Sequence, residues 1–277
     1  MKNPFKKFDS SRKELISVLG ISFFHSMSSA RKEECMMTSK QEIREHTWGI
    51  LEKNKFGRFP FPLKNRIPNF KGAEKAASFV FQMPEYQQAQ VIKVNPDSPQ
   101  LPIRAQILRD GKTLLVPTPR LRAGFIMVKP EWVPAGEERK AASLSHIKSY
   151  GKEIPLANLP RIDLFFAGSV ALHRDGRRVG KGEGYADREY AIIRELGNPE
   201  IPVIGTIHSA QLTDADVPRD PYDLTVDFIA TENEFIPTNT PYPKPNGIQW
   251  DLVTDEEKEE MPVLKEIWEL TKSQKRS

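Results

Sequence analysis

The residues whose types and spacing point most directly to chemistry are the eleven from Arg178 to Arg188, Arg-Val-Gly-Lys-Gly-Glu-Gly-Tyr-Ala-Asp-Arg. Gly180, Gly182 and Gly184 alternate, so backbone N–H groups along this run can approach an anion with no Cβ in the way. A helix is predicted to begin at once, and its N-terminus adds partial positive charge. Arg178 and Lys181 are placed to neutralise phosphate oxygens, and Asp187 at the helix start is suited to Mg²⁺ or to a water on it. The spacing fits neither a Walker loop nor the G-x-G-x-x-G dinucleotide fingerprint. Glycines after a strand also make plain tight turns, and the run alone leaves both readings open.

Such a loop needs a scaffold. Short β-rich runs occur at Val91 to Val94, Thr113 to Val116, Phe125 to Val128, Leu164 to Phe166, Val203 to Ile207 and Val226 to Ala230. Helical stretches lie between several of them: Leu101 to Arg109, Glu138 to Tyr150, and Asp187 to Leu196 with Gly197 as its C-cap. Strands apolar on both faces and alternating with helices predict an α/β fold, with a mainly parallel sheet covered by helices and ligands at the carboxyl ends of the strands. Upstream, Ser39 and Glu42 make a capping box for a helix carrying Ile43, Thr47, Ile50 and Leu51 on one face and running to about Lys55. Proline-punctuated loop follows at 59–62 and 66–70, and Lys71 to Phe81 is helical. Asp255 to Leu270 reads as one amphipathic closing helix.

Composition excludes other classes. Cys35 is the only cysteine among 277 residues, so the chain cannot close a disulfide on itself and has no thiol cluster for zinc or iron–sulfur chemistry. No apolar run approaches the roughly 20 residues of a membrane helix. The net charge of +4 comes from 41 basic residues interleaved with 37 acidic ones, the pattern of a mixed solvated surface more than of a nucleic-acid face. A cytoplasmic, reducing location is expected. Residues 1–37 differ from the rest. Leu15 to Phe24 resembles the apolar part of a secretion signal, but Asp9 and Glu14 spoil the positive leader, and the segment reads as a dispensable extension or as an upstream start with Met36 or Met37 as the true beginning. Residues 38–277 are expected to form one domain. His208 at a strand end and Ser169 near the glycine run are modest binding candidates, a capping or packing role being equally open for His208. Trp48 and Trp250 read as core, and His46 and His173 lack metal-type spacing.

Three motifs in order resemble the 5-formyltetrahydrofolate cyclo-ligase (methenyltetrahydrofolate synthetase) family. These are Lys40-Gln41-Glu42-Ile43-Arg44, the run from Arg178 to Asp187, and Val203 to Thr231 with Gln211, Pro218, Asp223 and Asp227. The resemblance implies a three-layer αβα sandwich, Rossmann-like and similar to the NagB/RpiA/CoA-transferase group. It implies ATP and Mg²⁺ as cofactors, and phosphoryl transfer to a formyl oxygen followed by ring closure. Carried over, it makes Lys40, Arg44 and Lys181 the catalytic cations. Arg178, Gly180, Lys181, Gly182, Glu183, Gly184 and Tyr185 would cradle the nucleotide beside Lys40 and Arg44, with Asp187 and Asp227 as metal ligands. Lys40 and Arg44 at i, i+4 share a helix face, as that role requires, and Asp227 is equally open to a strand-end role satisfied by backbone. The second substrate would be a reduced folate or related heterocycle, with the chain a monomer or homodimer. Two departures fall on the folate side: Ala186 stands where the family has a second tyrosine, and Glu183 occupies the middle of the loop. With the altered Val91 to Gln100 segment and Pro243 to Ile248, they resemble the branch that includes the methenyltetrahydrofolate synthetase domain-containing proteins. Alternatives are a paralogue without cyclo-ligase activity, acting on a thiamin-related heterocycle or serving as a nucleotide- or RNA-binding module.

Overall fold

The computed structural model describes residues 36–274. The strands are β1 (Val91–Val94), β2 (Thr113–Pro117), β3 (Phe125–Val128), β4 (Lys152–Ile154), β5 (Leu164–Ala167), β6 (Ala171–His173), β7 (Arg178–Val179), β8 (Val203–Thr206), β9 (Leu212–Thr213), β10 (Phe228–Ala230) and β11 (Phe235–Pro237). Eight form one sheet in the order β11-β10-β8-β5-β1-β2-β3-β4. Its five middle strands, from β10 to β2, pair in parallel, whereas β3, β4 and β11 join antiparallel. A small second sheet, β7-β6-β9, stands beside it.

Alternation along the middle strands fills both faces. Ile92, Val94, Leu164 and Phe166 join one buried cluster with Ala77, Val80, Ile103 and Ile107, while Leu115, Phe165 and Val203 join the other with Tyr190, Ile193, Leu264 and Ile267. The helices of the described residues are α1 (Lys40–Lys53), α2 (Ala73–Val80), α3 (Pro84–Gln88), α4 (Leu101–Arg109), α5 (Glu138–Ala141), α6 (Ile147–Tyr150), α7 (Tyr185–Glu195), α8 (Asp255–Glu260) and α9 (Val263–Gln274). α2 and α4 cover one face and α7 and α9 the other, so the fold is the expected αβα sandwich. The chain passes from β1 through α4 to β2 on one side of β1, then returns to β5 on its other side. That reversal is a topological switch point, and a crevice opens outside the carboxyl ends of β1 and β5, at Asn95-Pro96-Asp97 and Gly168-Ser169.

Two expected helices are broken for local reasons. Glu138 to Tyr150 divides into α5 and α6 because Ser143 Oγ donates to the Lys140 carbonyl at 2.7 Å and pairs with His146 Nδ1 at 3.1 Å, drawing the backbone out of the helical pattern. The closing helix divides at Pro262, which has no N–H to donate. α1 opens on the expected Ser39–Glu42 capping box. Met37, assigned by sequence to the extension, packs with Ile43 and Val179. The secretion-signal reading of Leu15 to Phe24 falls outside the described residues. Among the described residues no helix is long and apolar enough to cross a membrane.

His208 caps and packs. Its Nδ1 accepts the Ala210 N–H at 3.0 Å, and its ring stacks on Phe56 with centroids 4.4 Å apart. Burial pulls its pKa below the ordinary value, opposed by Glu232 at 3.6 Å. The unfolded chain therefore takes up this proton near pH 6.5 while the fold resists it, so stability present above pH 6.5 is lost as pH falls toward the folded value. The slope is at most about 1.4 kcal/mol per pH unit. Urea unfolding at pH 7.5 and 5.5 checks this: wild type should lose more stability on acidification than His208→Gln, and equal losses would contradict the assignment.

Candidate functional site

β7 delivers Arg178 into the heart of the site. The side chain is buried; Nη2 donates to Asp187 Oδ1 at 2.5 Å, Nη1 to the Gly168 carbonyl at 3.1 Å and Nε to the Leu224 carbonyl at 3.4 Å. One guanidinium thus ties the end of β5 to the first turn of α7 and to the segment before β10. Burial works against its charge, but the Asp187 carboxylate outweighs that and holds the pKa above the ordinary arginine value. Gly180 makes room for this: a Cβ there would lie 2.9 Å from Arg178 Nη1.

The loop after β7 divides two cavities. Gly182 at φ +110° and Gly184 at φ +68° adopt backbone that side-chain residues rarely reach, and the turn they make sorts the loop by residue. Gly180, Gly182 and Gly184 line a cavity of about 520 Å³, whereas Lys181, Glu183, Tyr185 and Ala186 line another of about 300 Å³. Arg178, Gly180, Gly184 and Asp187 touch both.

The larger cavity gathers cations from distant segments: Lys40, Arg44, Arg178 and Arg188. Arg44 Nε donates to the Gly180 carbonyl at 2.7 Å, fixing α1 over the loop. Burial and then the neighbouring Arg178 charge lower the Arg44 pKa, opposed by Asp223. Lys40 Nζ lies 2.6 Å from Asp223 and 3.0 Å from Asp220, and Arg188 forks onto Glu257, with two contacts at 2.8 Å. Gly247, Gln249 and Leu252 complete the far wall with uncharged groups. A chamber that brings guanidinium groups and glycine backbone together with uncharged groups suits a phosphorylated molecule with a heterocyclic base.

The smaller cavity opens at the switch point and is lined by Asn95, Asp97, Thr118, Arg120 and Glu189 besides the loop. Behind it lies a buried polar network that the sequence reading missed. Lys93, fully buried in β1, pairs with Glu189, and Asn95 Nδ2 donates to the same Glu189 oxygen at 2.8 Å. Burial pushes Lys93 down to about 8 and Glu189 up, each held back by its partner. Burial also raises Asp97, against the pull of Lys181 and Arg104. Perturbed carboxylates converging on a crevice are the arrangement by which active sites tune proton affinity. The sequence signal was Lys93 itself, a lone cation in the otherwise apolar strand Val91-Ile92-Lys93-Val94.

Most of the sequence-derived residues meet at this place, with differences. Lys40, Arg44, Arg178, the three glycines and Asp187 share the larger cavity. Lys181, Glu183 and Tyr185, expected around the same ligand, face the smaller one, where Lys181 and Glu183 pair at 2.6 Å. Gly182 lines the larger cavity alone, whereas Gly180 and Gly184 border both and the side chains of Lys181 and Glu183 fall to the smaller one. Asp227 lines neither cavity. It precedes β10 at the amino ends of the parallel strands, where Oδ1 pairs with Lys244 at 2.8 Å and Oδ2 accepts the Val203 N–H at 2.7 Å. Asp187 Oδ1 is already shared by Arg178 and the Leu224 N–H. Asp187 and Asp227 thus stand at opposite ends of the parallel strands, and among the described residues no group of three or more His, Cys, Asp or Glu could hold a metal. Ser169 Oγ is buried with no hydrogen-bond partner among the described residues, and Gln211 is structural, its Nε2 donating to the Val170 carbonyl at 2.9 Å.

Known proteins resemble this chain over most of its length. The chain is 40% identical over 236 residues to a methenyltetrahydrofolate synthase domain-containing protein of Bos taurus, and 39% identical over 236 residues to one of Homo sapiens. Each match covers 83% of this chain but only 62% and 61% of those relatives, so the chain spans less than two thirds of their length. An NMR structure of Aquifex aeolicus 5,10-methenyltetrahydrofolate synthetase aligns with TM-score 0.45 and 19% identity, over 74% of this chain and 95% of that one. A family model matches residues 32–232, which contain both cavities' cations and the whole dividing loop; the chain belongs to the 5-formyltetrahydrofolate cyclo-ligase family.

Proposed function

We propose that this chain is an ATP-dependent ring-forming ligase that holds ATP in the larger cavity and a formylated reduced folate, or a related heterocycle, in the smaller one. The observation that carries this reading is the dividing loop, a single glycine-rich wall shared by both cavities, across which a phosphoryl group would pass. In that arrangement the formyl oxygen attacks the γ-phosphorus and the bond to the ADP oxygen breaks. A neighbouring nitrogen of the second substrate then adds to the formyl carbon and gives up its proton, and the carbon–oxygen bond breaks as phosphate leaves. No protein nucleophile is required; positioning and charge neutralisation suffice.

Roles follow from position. Lys40, Arg44 and Arg178 would neutralise the phosphate oxygens, and the backbone N–H groups of the loop would hold them in place. Lys181 and Tyr185 would meet the second substrate. Magnesium would supply further charge neutralisation, with Asp187, which lines both cavities, as the carboxylate to hold it or a water on it.

Incubating the protein with 5-formyltetrahydrofolate, ATP and Mg²⁺ tests the proposal. Methenyl absorbance and ADP should appear in equal amounts, and Lys40→Ala with Arg44→Ala should lower the rate by about 100-fold or more, the usual cost of losing preorganised charge stabilisation. A wild-type rate no higher than that of the double variant would rule out the folate substrate.

A further inference from the structure

A third cavity, of about 360 Å³, lies on the side of the 95–98 segment away from the dividing loop and belongs to neither ligand discussed above. The loop before α2, the starts of α2 and α4 and the link between α5 and α6 build its walls. Three arginines, Arg58, Arg104 and Arg139, meet there against one carboxylate, Glu74, so the formal charge of the lining is 3 − 1 = +2. Glu74 is paired with Arg58 at 3.0 Å and Arg104 feels the charge of Asp97 behind the cavity, so the surplus in the lining is carried by Arg139.

Arg104 is the informative one. It is 2% exposed, yet it reaches this cavity. Nε donates to the Ala142 carbonyl at 3.0 Å, and Nη1 to those of Asn95 at 2.7 Å and Asp97 at 3.0 Å, while Nη2 has no hydrogen-bond partner among the described residues. A buried guanidinium with spare donor capacity and surplus positive charge around it is built to receive an anion. Burial pulls its pKa down to about 10, opposed by Asp97 alone, so a second negative group would favour its charged form. The rim is apolar: Phe59 and Leu144 are 78% and 54% exposed, and Pro60, Leu101 and Pro102 lie beside them. An exposed phenyl ring and leucine next to a net positive lining ask for a ligand with an apolar body as well as a charge.

We infer that this cavity is a second anion site, taking a small phosphate ester with an aryl or alkyl body, its phosphate on Arg104 and Arg139 and its body against Phe59 and Leu144. The site is coupled to the smaller cavity. Arg104 grips the backbone carbonyls of Asn95 and Asp97, two residues that line that cavity, and Pro96 lines both. Occupancy of the third cavity is therefore felt where the second substrate would sit.

Amide NMR of the full chain titrated with phenyl phosphate, and separately with inorganic phosphate, tests the inference in three proteins: wild type, Arg44→Ala and Arg58→Ala/Arg139→Ala. Both arginines of the last variant are solvent-exposed, so the fold should tolerate their loss. The expected result is saturable shifts at Asn69, Ser98 and Ser143 to Ser145, tighter for phenyl phosphate than for inorganic phosphate. Apparent Kd should be unchanged in Arg44→Ala and raised at least about tenfold in the double variant, the scale of losing a charge-assisted contact. Shifts confined to the glycine loop and abolished by Arg44→Ala would overturn it, as would non-saturating shifts alike in all three proteins. Neither outcome depends on whether ATP or a folate is turned over.

Discussion

Replacing Arg178 with methionine is expected to cost about 3–5 kcal/mol of stability, the usual penalty for removing one partner of a buried ion pair, and to abolish measurable nucleotide turnover. The guanidinium holds three segments through Asp187, Gly168 and Leu224. Methionine fills much of the volume but donates nothing, leaving Asp187 as a carboxylate in an occluded site and the Gly168 carbonyl without its donor. Urea unfolding should show the loss as a lower midpoint at unchanged slope. Adding Asp187→Leu should recover much of that stability, because replacing both members of a buried pair is far less costly than removing one. It should recover no turnover, because the cation facing both cavities is still missing. Recovery of both together would mean that Arg178 acts through folding alone.

The second large effect is expected at Glu189. Changing it to leucine strands Lys93 in the sheet, above the Phe165 ring at 3.7 Å and without its carboxylate. Lysine can escape by releasing its proton, and deprotonating an ordinary lysine at pH 7 costs about 4–5 kcal/mol, which bounds the loss. The sign of the pH dependence follows. In the wild type Lys93 is pulled down to about 8 from 10.5, so between those values the unfolded chain binds more protons and stability rises with pH. In Glu189→Leu the rise should begin at lower pH, because the folded-state pKa falls further without its carboxylate. Lys93→Met combined with Glu189→Leu should remove the dependence and restore most of the stability. Unfolding midpoints at several pH values between 6 and 10 would show whether the curves separate in this way.

Much of the scaffold was legible in the sequence because its signals were strong and local. Val91 to Val94, Phe125 to Val128 and Leu101 to Arg109 fall where hydrophobic patterning put them, and Ser39 with Glu42 marked the first helix by capping chemistry. β6, β7 and β9 are two or three residues long, too short for a period to register, yet their sheet carries Arg178. The glycine run marked an anion site, but which residues face which cavity depends on the positive φ of Gly182 and Gly184, a three-dimensional property with no periodic trace. Asp227 shows the converse. A carboxylate beside a strand looks alike at either end of the sheet, and only the fold shows that this one meets Lys244 and the Val203 N–H. The Lys93–Glu189 pair joins residues 96 positions apart, beyond the reach of any local pattern.

Calorimetric titration of ATP with Mg²⁺ into wild type, Arg44→Ala, Asp97→Asn and Asp227→Asn tests most directly whether the glycine loop separates a nucleotide chamber from a second-substrate chamber. ATP affinity should fall at least about tenfold in Arg44→Ala, the scale of one charge-assisted contact. It should be unchanged in Asp97→Asn, which lines only the other cavity, and in Asp227→Asn, at the far end of the sheet. Full affinity in Arg44→Ala together with loss in Asp97→Asn would place the nucleotide on the wrong side of the loop and contradict the assignment.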